Sequence, residues 1–351
     1  DFVPLCVQAV QSTIEKVCPE ARGMLLIPEN HTRNQFYLQN VAQLALVMRQ
    51  AGLNVRVGSL LPEITEPTVL TLSNGSALTL EPLVRTGNRL GVAGFDPCVV
   101  LLNNDLSAGA PDILKNLEQT VLPPLQAGWY NRRKSHHFAA YRTVSRQFAD
   151  LLGIDPWLID PYFEVCNQVD FHAGAGTDCL AAKVDAVLQQ MRAKYAEYGV
   201  KDDPFVIVKA DAGTYGMGVM SIKDASEVRE LNRRQRNKMA VVKEGLQVSD
   251  VLVQEGVYTF EDLNGAVAEP VVYMIDRYVV GGFYRVHTER GKDENLNAPG
   301  MRFEPLAFEA CCTLPNPACA PDDTPNRFYA YGVVGRLAML AASLEVEELT
   351  A

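Results

Sequence analysis

The sequence predicts an α/β protein whose first part is an open parallel sheet and whose C-terminal part is an α+β arrangement of antiparallel strands. Three observations predict it: a βαβ pattern near the N-terminus, a buried strand that opens into a glycine-rich loop near residue 210, and a hairpin centred near residue 277. The chain has 351 residues, which is long enough for two domains.

The βαβ pattern comes first. Residues 24–28 are apolar and predict a buried strand, residues 32–50 carry apolar residues at helical spacing, and residues 53–57 resume a strand. Gly52 closes the helix. Because ligands bind at the carboxyl ends of such strands, the polar loop at 29–34 is a candidate binding segment.

A second strand, at 98–102, leads into Asn103-Asn104-Asp105 and then a short helix from Asp112. Between the two patterns, residues 68–84 predict a β-hairpin that turns at Asn74-Gly75. The loop at 103–105 falls at another strand end and is a second candidate binding segment.

The paired prolines within residues 122–128 predict a domain boundary, because proline continues neither a helix nor a central strand. We therefore predict one domain at 1–125 and another at 126–351. In the second, the patterns predict the following elements: helices at about 132–152, 178–198, from 224, and 328–348; strands at 206–210, 219–222 and 251–254; and the hairpin at 271–286.

Composition excludes several functions. The net charge is −10, which argues against a nonspecific binder of nucleic acid or of an anionic membrane, since both need a basic surface. No stretch of eighteen apolar residues and no signal-peptide pattern is seen, so the cytoplasm is the expected location. Eight cysteines without a C-x-x-C pair predict buried thiols rather than a zinc site or a disulfide framework.

Lys209 and the loop behind it predict a phosphate site. The lysine ends an apolar strand, and Gly213-Thr214-Tyr215-Gly216-Met217-Gly218 follows, so backbone N–H groups can approach a polyphosphate closely. The order G-x-x-G-x-G differs from a P-loop and from a dinucleotide fingerprint. A tight glycine turn between two strands is the structural alternative.

Two other segments, and the hairpin described next, predict contacts to a nucleotide. Lys134 begins a helix, where a lysine fits best beside an anion, although a solvated surface charge is the alternative. The strand at 251–254 runs into Gln254, Glu255 and Val257, whose backbone can face an adenine edge or simply end a strand.

The hairpin supplies an arginine. Arg285 lies on the otherwise apolar face of its strand, where a buried anion is the expected partner. The turn that follows contains Asn295 and Asn297, which either reach a metal-bound phosphate or cap the turn by Asx bonding.

In this order, the helix-start lysine, the strand lysine with its glycine loop, the Q-E strand, the arginine hairpin and the N-L-x-x-x-G turn resemble an ATP-grasp ligase over about residues 126–310. The whole chain, including 128–137, most resembles the proteobacterial glutamate–cysteine ligases that use this fold. The resemblance implies a pre-ATP-grasp domain at 1–125 and an ATP-grasp domain at 126–351.

The resemblance also implies roles. Lys134 and Lys209 would bind ATP phosphates, with Gly213, Thr214, Gly216 and Gly218 closing over them. Gln254, Glu255 and Val257 would hold the adenine. Lys209, Arg285 and Asn295 would be the catalytic residues at the transferring phosphoryl group.

Two features depart from the family pattern. The two lysines are 75 positions apart, from 134 to 209, so residues 154–204 resemble an insertion. The acidic E-x-N that binds Mg²⁺ is not recognisable after Gly300. Glu269, Asn297 and Glu304 remain as candidate ligands for Mg²⁺, or for Mn²⁺ as the alternative.

The activity implied is ligation of the γ-carboxylate of glutamate to the amine of cysteine, driven by ATP through an acyl phosphate. Arg33 or Arg302 would hold the α-carboxylate of glutamate, with Asn30 beside it. The expected partners are glutamate, cysteine and ATP, without nucleic acid or membrane, and a homo-oligomer stays open. The alternatives are a glutathione-synthetase-like ligase and a non-catalytic nucleotide-binding sensor.

Overall fold

A computed structural model describes residues 2–167, 169–213, 218–240, 248–305 and 327–350. They fall into two units, the first formed by Asp1–Asn131 with Met274–Val280 and the second by Arg132–Tyr273 with Gly281–Ala351. Helices and sheets mix in both units, which confirms the predicted α/β class. Thr214 and Gly216 of the predicted phosphate loop lie outside the described residues.

The first unit is built on a six-stranded sheet with the order β3-β4-β2-β1-β7-β8. Its elements are α1 (Phe2–Val17), β1 (Gly23–Pro28), α2 (Gln35–Gln50), β2 (Asn54–Ser59), β3 (Thr68–Thr71), β4 (Ala77–Pro82), β5 (Val84–Thr86), β6 (Arg89–Gly91), β7 (Val99–Asn103) and β8 (Thr120–Leu122). β1 is parallel to β2 and β7, and β3 is antiparallel to β4. The predicted βαβ unit and the hairpin at Asn74-Gly75 are therefore confirmed.

The parallel centre of this sheet explains its sequence. All six residues of β1 are buried, as expected of a strand covered on both faces. α2 begins after Asn34, whose side chain accepts a hydrogen bond from the backbone N–H of Tyr37 at 3.2 Å. The helix thus starts at Gln35, three residues after the predicted residue 32. The prediction used the spacing of apolar residues, which does not show where the polar cap lies.

The second unit contains two antiparallel four-stranded sheets, with the orders β11-β10-β12-β9 and β13-β14-β15-β16. Its elements are α3 (Lys134–Leu152), β9 (Phe163–Cys166), α4 (Thr177–Tyr198), β10 (Val206–Ala210), β11 (Val219–Ile222), α5 (Ser226–Arg229), α6 (Arg233–Ala240), β12 (Val251–Glu255), β13 (Glu261–Leu263), β14 (Ala266–Ile275), β15 (Tyr278–His287), β16 (Arg302–Pro305) and α7 (Arg327–Thr350). Only the turn end of the β14–β15 hairpin belongs to the first unit.

α4 covers one face of the β10 sheet. Val206 and Val208 of β10 pack in one fully buried cluster with Val184 and Val187 of α4. Ile207 and Lys209 alternate with these valines and therefore face the other side. This alternation sets the lysine on the face that the core does not occupy.

The segment at 154–204 supplies both β9 and α4, so it is part of the core of the second unit. β9 pairs with β12 at the edge of the sheet. That the segment is an insertion relative to the family, and that the domains divide at residue 125, stay predictions.

Several elements do not appear among the sequence predictions: α1, β5, β6, β8 and β9. The strands have only three or four residues, too few for a periodic pattern to stand out. A 3₁₀ turn at Asp112–Leu114 replaces the predicted short helix. In the part of the chain that the structure describes, no helix combines the length and the apolar character needed to cross a membrane.

Candidate active site

Lys209 stands at the end of β10 and is the centre of the candidate site. Its ammonium group lies 4.9 Å from the centroid of the Phe138 ring, in a cation–π contact, and donates a hydrogen bond to Oε1 of Gln254. Phe138 comes from α3 and Gln254 from β12. Three neighbouring elements therefore hold the lysine at a fixed place.

Lys134 lies over the start of the glycine-rich loop. Its Nζ donates to the carbonyl oxygens of Ala210 at 2.8 Å, Ala212 at 3.2 Å and Gly213 at 2.8 Å. Gly213 has a φ of +82° and Gly218 one of +62°, conformations that favour glycine. The two predicted lysines thus lie close enough for their charges to interact, although 75 positions, from 134 to 209, separate them.

Asp211 joins the loop to the start of α3. This carboxylate is only 6% exposed, and it accepts hydrogen bonds from the backbone N–H of Ser135 at 2.7 Å and from its hydroxyl at 2.8 Å. A carboxylate at a helix N-terminus satisfies an orphan N–H group and complements the helix dipole. The sequence analysis did not single out Asp211. The signal that could have identified it is its position two residues after Lys209, at the end of the strand.

Burial lowers the pKa of both lysines. It lowers the pKa of Lys134 to about 8, against the opposing effect of Asp211. It also lowers the pKa of Lys209 to about 8, and the positive charge of Lys134 adds to this effect. Two ammonium groups that are held together and desolvated favour the binding of a multivalent anion.

The three residues predicted to hold adenine, at the end of β12, have side chains in three different environments. The side chain of Gln254 lies on the Lys209 side of the sheet. Glu255 is buried, and burial raises the pKa of its carboxyl group. The carboxylate accepts hydrogen bonds from Trp157 Nε1 at 3.0 Å and from the backbone N–H of Tyr162 at 3.0 Å, which oppose this effect on the pKa. Val257 is exposed. The backbone N–H of Glu255 is engaged as well, since it donates to the carbonyl oxygen of Tyr162 at 2.8 Å, and adenine binding by these three residues stays a prediction.

Arg285 lies on β15, in the second sheet of this unit. One of its Nη atoms donates to the Glu269 carboxylate, and its Nε is buried without a hydrogen-bond partner among the described residues. A buried, unpartnered guanidinium N–H is suited to an anionic oxygen. The residue next to it in the register of β16 is Phe303, so the neighbouring Glu304 lies on the opposite face from Arg285.

Comparison with known proteins identifies the family. A sequence model described as GshA, glutamate-cysteine ligase, matches residues 1–346. The chain belongs to the glutamate–cysteine ligase family. A comparison with curated proteins finds no match.

Two solved structures are similar to this family member. One is a protein from Methylobacillus flagellatus KT, provisionally assigned as a gamma-glutamylcysteine synthetase, with 64% identity, a TM-score of 0.90, and coverage of 99% of this chain and 82% of that one. The other is D-alanyl-alanine synthetase A from Vibrio cholerae O1, with 11% identity, a TM-score of 0.41, and coverage of 92% and 80%. A score this low carries no argument.

The ATP-grasp fold predicted for this glutamate–cysteine ligase is consistent with the second unit. Two antiparallel four-stranded sheets carry Lys209 and Arg285, whose contact with ATP stays a prediction. The glycine-rich loop lies between β10 and β11, which pair antiparallel, so the turn between two strands is confirmed, whereas phosphate binding by this segment stays a prediction.

The described residues do not bring the predicted metal ligands together. Glu269 is engaged by Arg285, Glu304 lies on the opposite face, and Asn297 donates its backbone N–H to Asn295 Oδ1 at 2.9 Å. The asparagine pair therefore forms the Asx turn named as the alternative use. Over the described ranges, no group of three or more His, Cys, Asp or Glu side chains could hold a metal ion. As placed, these residues do not fit a resident metal.

The predicted substrate residues lie apart from the lysines in the chain. Asn30 and Arg33 are exposed on the loop after β1, in the first unit. There, Glu29 Oε1 accepts the backbone N–H of Asp105 at 2.7 Å, so the two predicted strand-end loops meet. Arg302 is exposed on β16, 3.6 Å from Glu304. Their role in binding glutamate stays a prediction.

Proposed function

We propose that this protein joins the γ-carboxylate of glutamate to the amine of cysteine at the expense of ATP. The observation that carries the proposal is the half-buried pair of Lys134 and Lys209 where β10 runs into the glycine-rich loop, in a chain that belongs to the glutamate–cysteine ligase family. Such a pair is suited to a polyphosphate, and the family supplies the two amino acids.

The reaction has two steps. A γ-carboxylate oxygen of glutamate attacks the γ-phosphorus of ATP, so that an acyl phosphate forms and ADP leaves. The neutral amine of cysteine then attacks the acyl carbon, the carbon–oxygen bond breaks, and phosphate leaves as the amide forms and the amine loses its proton. Both steps move charge on phosphoryl oxygens, so positioning and charge neutralisation dominate catalysis.

The residues divide this work. Lys134 and Lys209 hold the phosphates, and the unpartnered Nε of Arg285 is available to the transferring phosphoryl group. An electrostatic stabiliser of this kind is typically worth about 3 kcal/mol in the transition state. The glycine loop would exclude water from the acyl phosphate. Mg²⁺ or Mn²⁺ enters with ATP as part of the substrate, and no step is assigned to a protein-bound metal.

An assay of ADP release tests the proposal and its alternatives. We expect release with glutamate and cysteine together, and a product of the mass of γ-glutamylcysteine. Release that requires γ-glutamylcysteine and glycine instead would identify a glutathione-synthetase-like ligase. Nucleotide binding without any release dependent on amino acids would identify a sensor.

Location and partners belong to the same proposal. Glutamate, cysteine and ATP are cytoplasmic metabolites, so we place the protein in the cytoplasm, with these three small molecules as its partners. The negative net charge of −10 supports the expectation that nucleic acid is not among them.

A further inference from the structure

Two cysteine thiols meet where β9 ends and α4 begins. Sγ of Cys166 lies 3.1 Å from Sγ of Cys179, and the Cys166 thiol donates to it. Cys166 is only 1% exposed, whereas Cys179 is exposed to solvent. A disulfide needs the two sulfurs to come to about 2.05 Å, so an approach of about 1 Å would join them.

The charges around the pair suit thiol chemistry. Lys183, one turn after Cys179 on α4, acts electrostatically on both sulfurs, while its Nζ donates to Glu164 Oε2 at 2.7 Å. The thiolate is the reactive form of cysteine, and the charge of Lys183 acts to lower the pKa of Cys166. Asp250 opposes this effect at Cys166, and burial, the largest cause, raises the pKa of Cys166 to about 12. The exposed Cys179 is therefore the attacking thiol.

The pair is connected to the glycine-rich loop through the sheet. Cys166 lies opposite Val251 in β12, and Val251 lies opposite Ala210 in β10. The carbonyl of Ala210 accepts one of the hydrogen bonds of Lys134, at 2.8 Å. Cys166 is thus two strands away from Ala210, and a movement of Cys166 can be passed through β12 to the carbonyl group that binds Lys134.

We propose that Cys166 and Cys179 are a reversible oxidation site that low-molecular-weight disulfides, such as oxidised glutathione, convert to an intramolecular disulfide. None of the residues that carry the proposed ligation is part of it. Its effect on ATP binding rests on the proposed function, whereas the formation of the bond does not.

The exchange balances in two steps. The Cys179 thiolate attacks one sulfur of the oxidant, forms a mixed disulfide and releases one small thiolate. The Cys166 thiolate then attacks the Cys179 sulfur, and the second small thiol leaves with a proton. The two protein thiols lose two electrons, and the oxidant becomes two thiols. Because Cys166 ionises with difficulty, the second step is the slow one, and alkaline pH speeds it.

The test treats the whole protein with oxidised glutathione and maps its peptides without reduction. We expect a peptide pair that joins Cys166 to Cys179, lighter than the two reduced peptides by two hydrogen atoms, and its complete loss after dithiothreitol. Cys179→Ser should abolish the pair, and Cys98→Ser, a control in the first unit, should not. A stable glutathione adduct on Cys179, or pairing of either residue with another cysteine, would overturn the proposal.

The second measurement is the KM for ATP of oxidised and reduced protein. We expect at least a twofold difference in the natural sequence and none in Cys179→Ser. A crosslinked protein with an unchanged KM would refute the link to the loop. If the proposed ligation itself were wrong, ADP release would be absent in both redox states while the joined peptides still appeared, so the two failures are distinguishable.

Discussion

Lys209 is the residue on which the proposed chemistry depends most. It is half-buried, it contacts an aromatic ring, and among the described residues its hydrogen bond goes to a neutral amide rather than to a carboxylate. A largely desolvated lysine without a paired carboxylate is uncommon in a structural role, because desolvation of its charge is not compensated. A bound polyphosphate would supply the missing negative charge.

Lys209→Met removes the charge and keeps the apolar stem. We expect kcat/KM for ATP to fall by about 10²- to 10³-fold, the effect of one lost electrostatic stabiliser. Steady-state ADP release with glutamate and cysteine measures it. Lys201→Met, at an exposed position five residues before β10 begins at Val206, is the matched control and should stay close to the natural protein. Equal losses in both variants would contradict the assignment.

The pH dependence of ATP binding follows from the same two lysines. Their pKa is about 8 in the free protein, and a bound anion favours the charged form and raises it. Affinity is therefore full below about pH 8 and falls as pH rises above it, with proton uptake on binding. Calorimetric titrations at pH 7 and pH 9 in buffers of different ionisation enthalpy measure both effects. Lys209→Met should bind more weakly at pH 7 and lose part of the proton uptake.

A buried ion pair joins the two helices α3 and α7 of the second unit. Glu345 of α7 is only 1% exposed, and its carboxylate accepts hydrogen bonds from Arg132 Nε at 3.0 Å and Nη2 at 2.7 Å. His137 Nδ1 lies 3.3 Å from the same carboxylate, and burial and Arg132 lower the pKa of this histidine. The pair ties α7 to the start of α3, two residues before Lys134.

Glu345→Gln should therefore reduce both stability and ATP binding. An amide cannot compensate the Arg132 charge, and the loss of a buried hydrogen bond to a charged group is worth about 2 kcal/mol. Urea denaturation gives the free energy of unfolding, and the KM for ATP reports the position of Lys134. Glu348→Gln, at an exposed position on the same helix, should change neither quantity. Wild-type stability in Glu345→Gln would show that the ion pair is not needed.

At the scale of elements, the sequence predicts long periodic segments well and short ones poorly. α3 ends at Gly153 in the left-handed conformation, as the glycine stop predicts, and α7 spans the predicted final helix. β9 has four residues in a segment rich in Asp, Pro and Gly, and no pattern marks it. Asp211 and Glu345 were missed for a different reason: their partners are 76 and 213 positions away in the chain.

At the scale of the whole molecule, an acidic chain is proposed to bind an acidic ligand. The net charge is −10, so attraction to ATP has to come from local cations rather than from the overall field. Because Lys134 and Lys209 are half-buried, salt screens them less than it screens fully exposed charges. The predicted family followed from the order of such local motifs, which composition does not reveal.

The change in the Tm of the full chain on addition of ATP tests whether the protein binds a nucleotide at all. A ligand that binds only the native state at 100 times its Kd stabilises it by about 2.7 kcal/mol, so saturating ATP should raise Tm by several degrees. The same shift is expected in Lys201→Met and a much smaller one in Lys209→Met. A shift with ATP that glutamate and cysteine neither enlarge nor convert into ADP release would favour the sensor. An unchanged Tm with ATP in the natural sequence would refute both nucleotide-binding proposals, because a ligand that binds the native state has to stabilise it. The two lysines would then need a different anion as their partner.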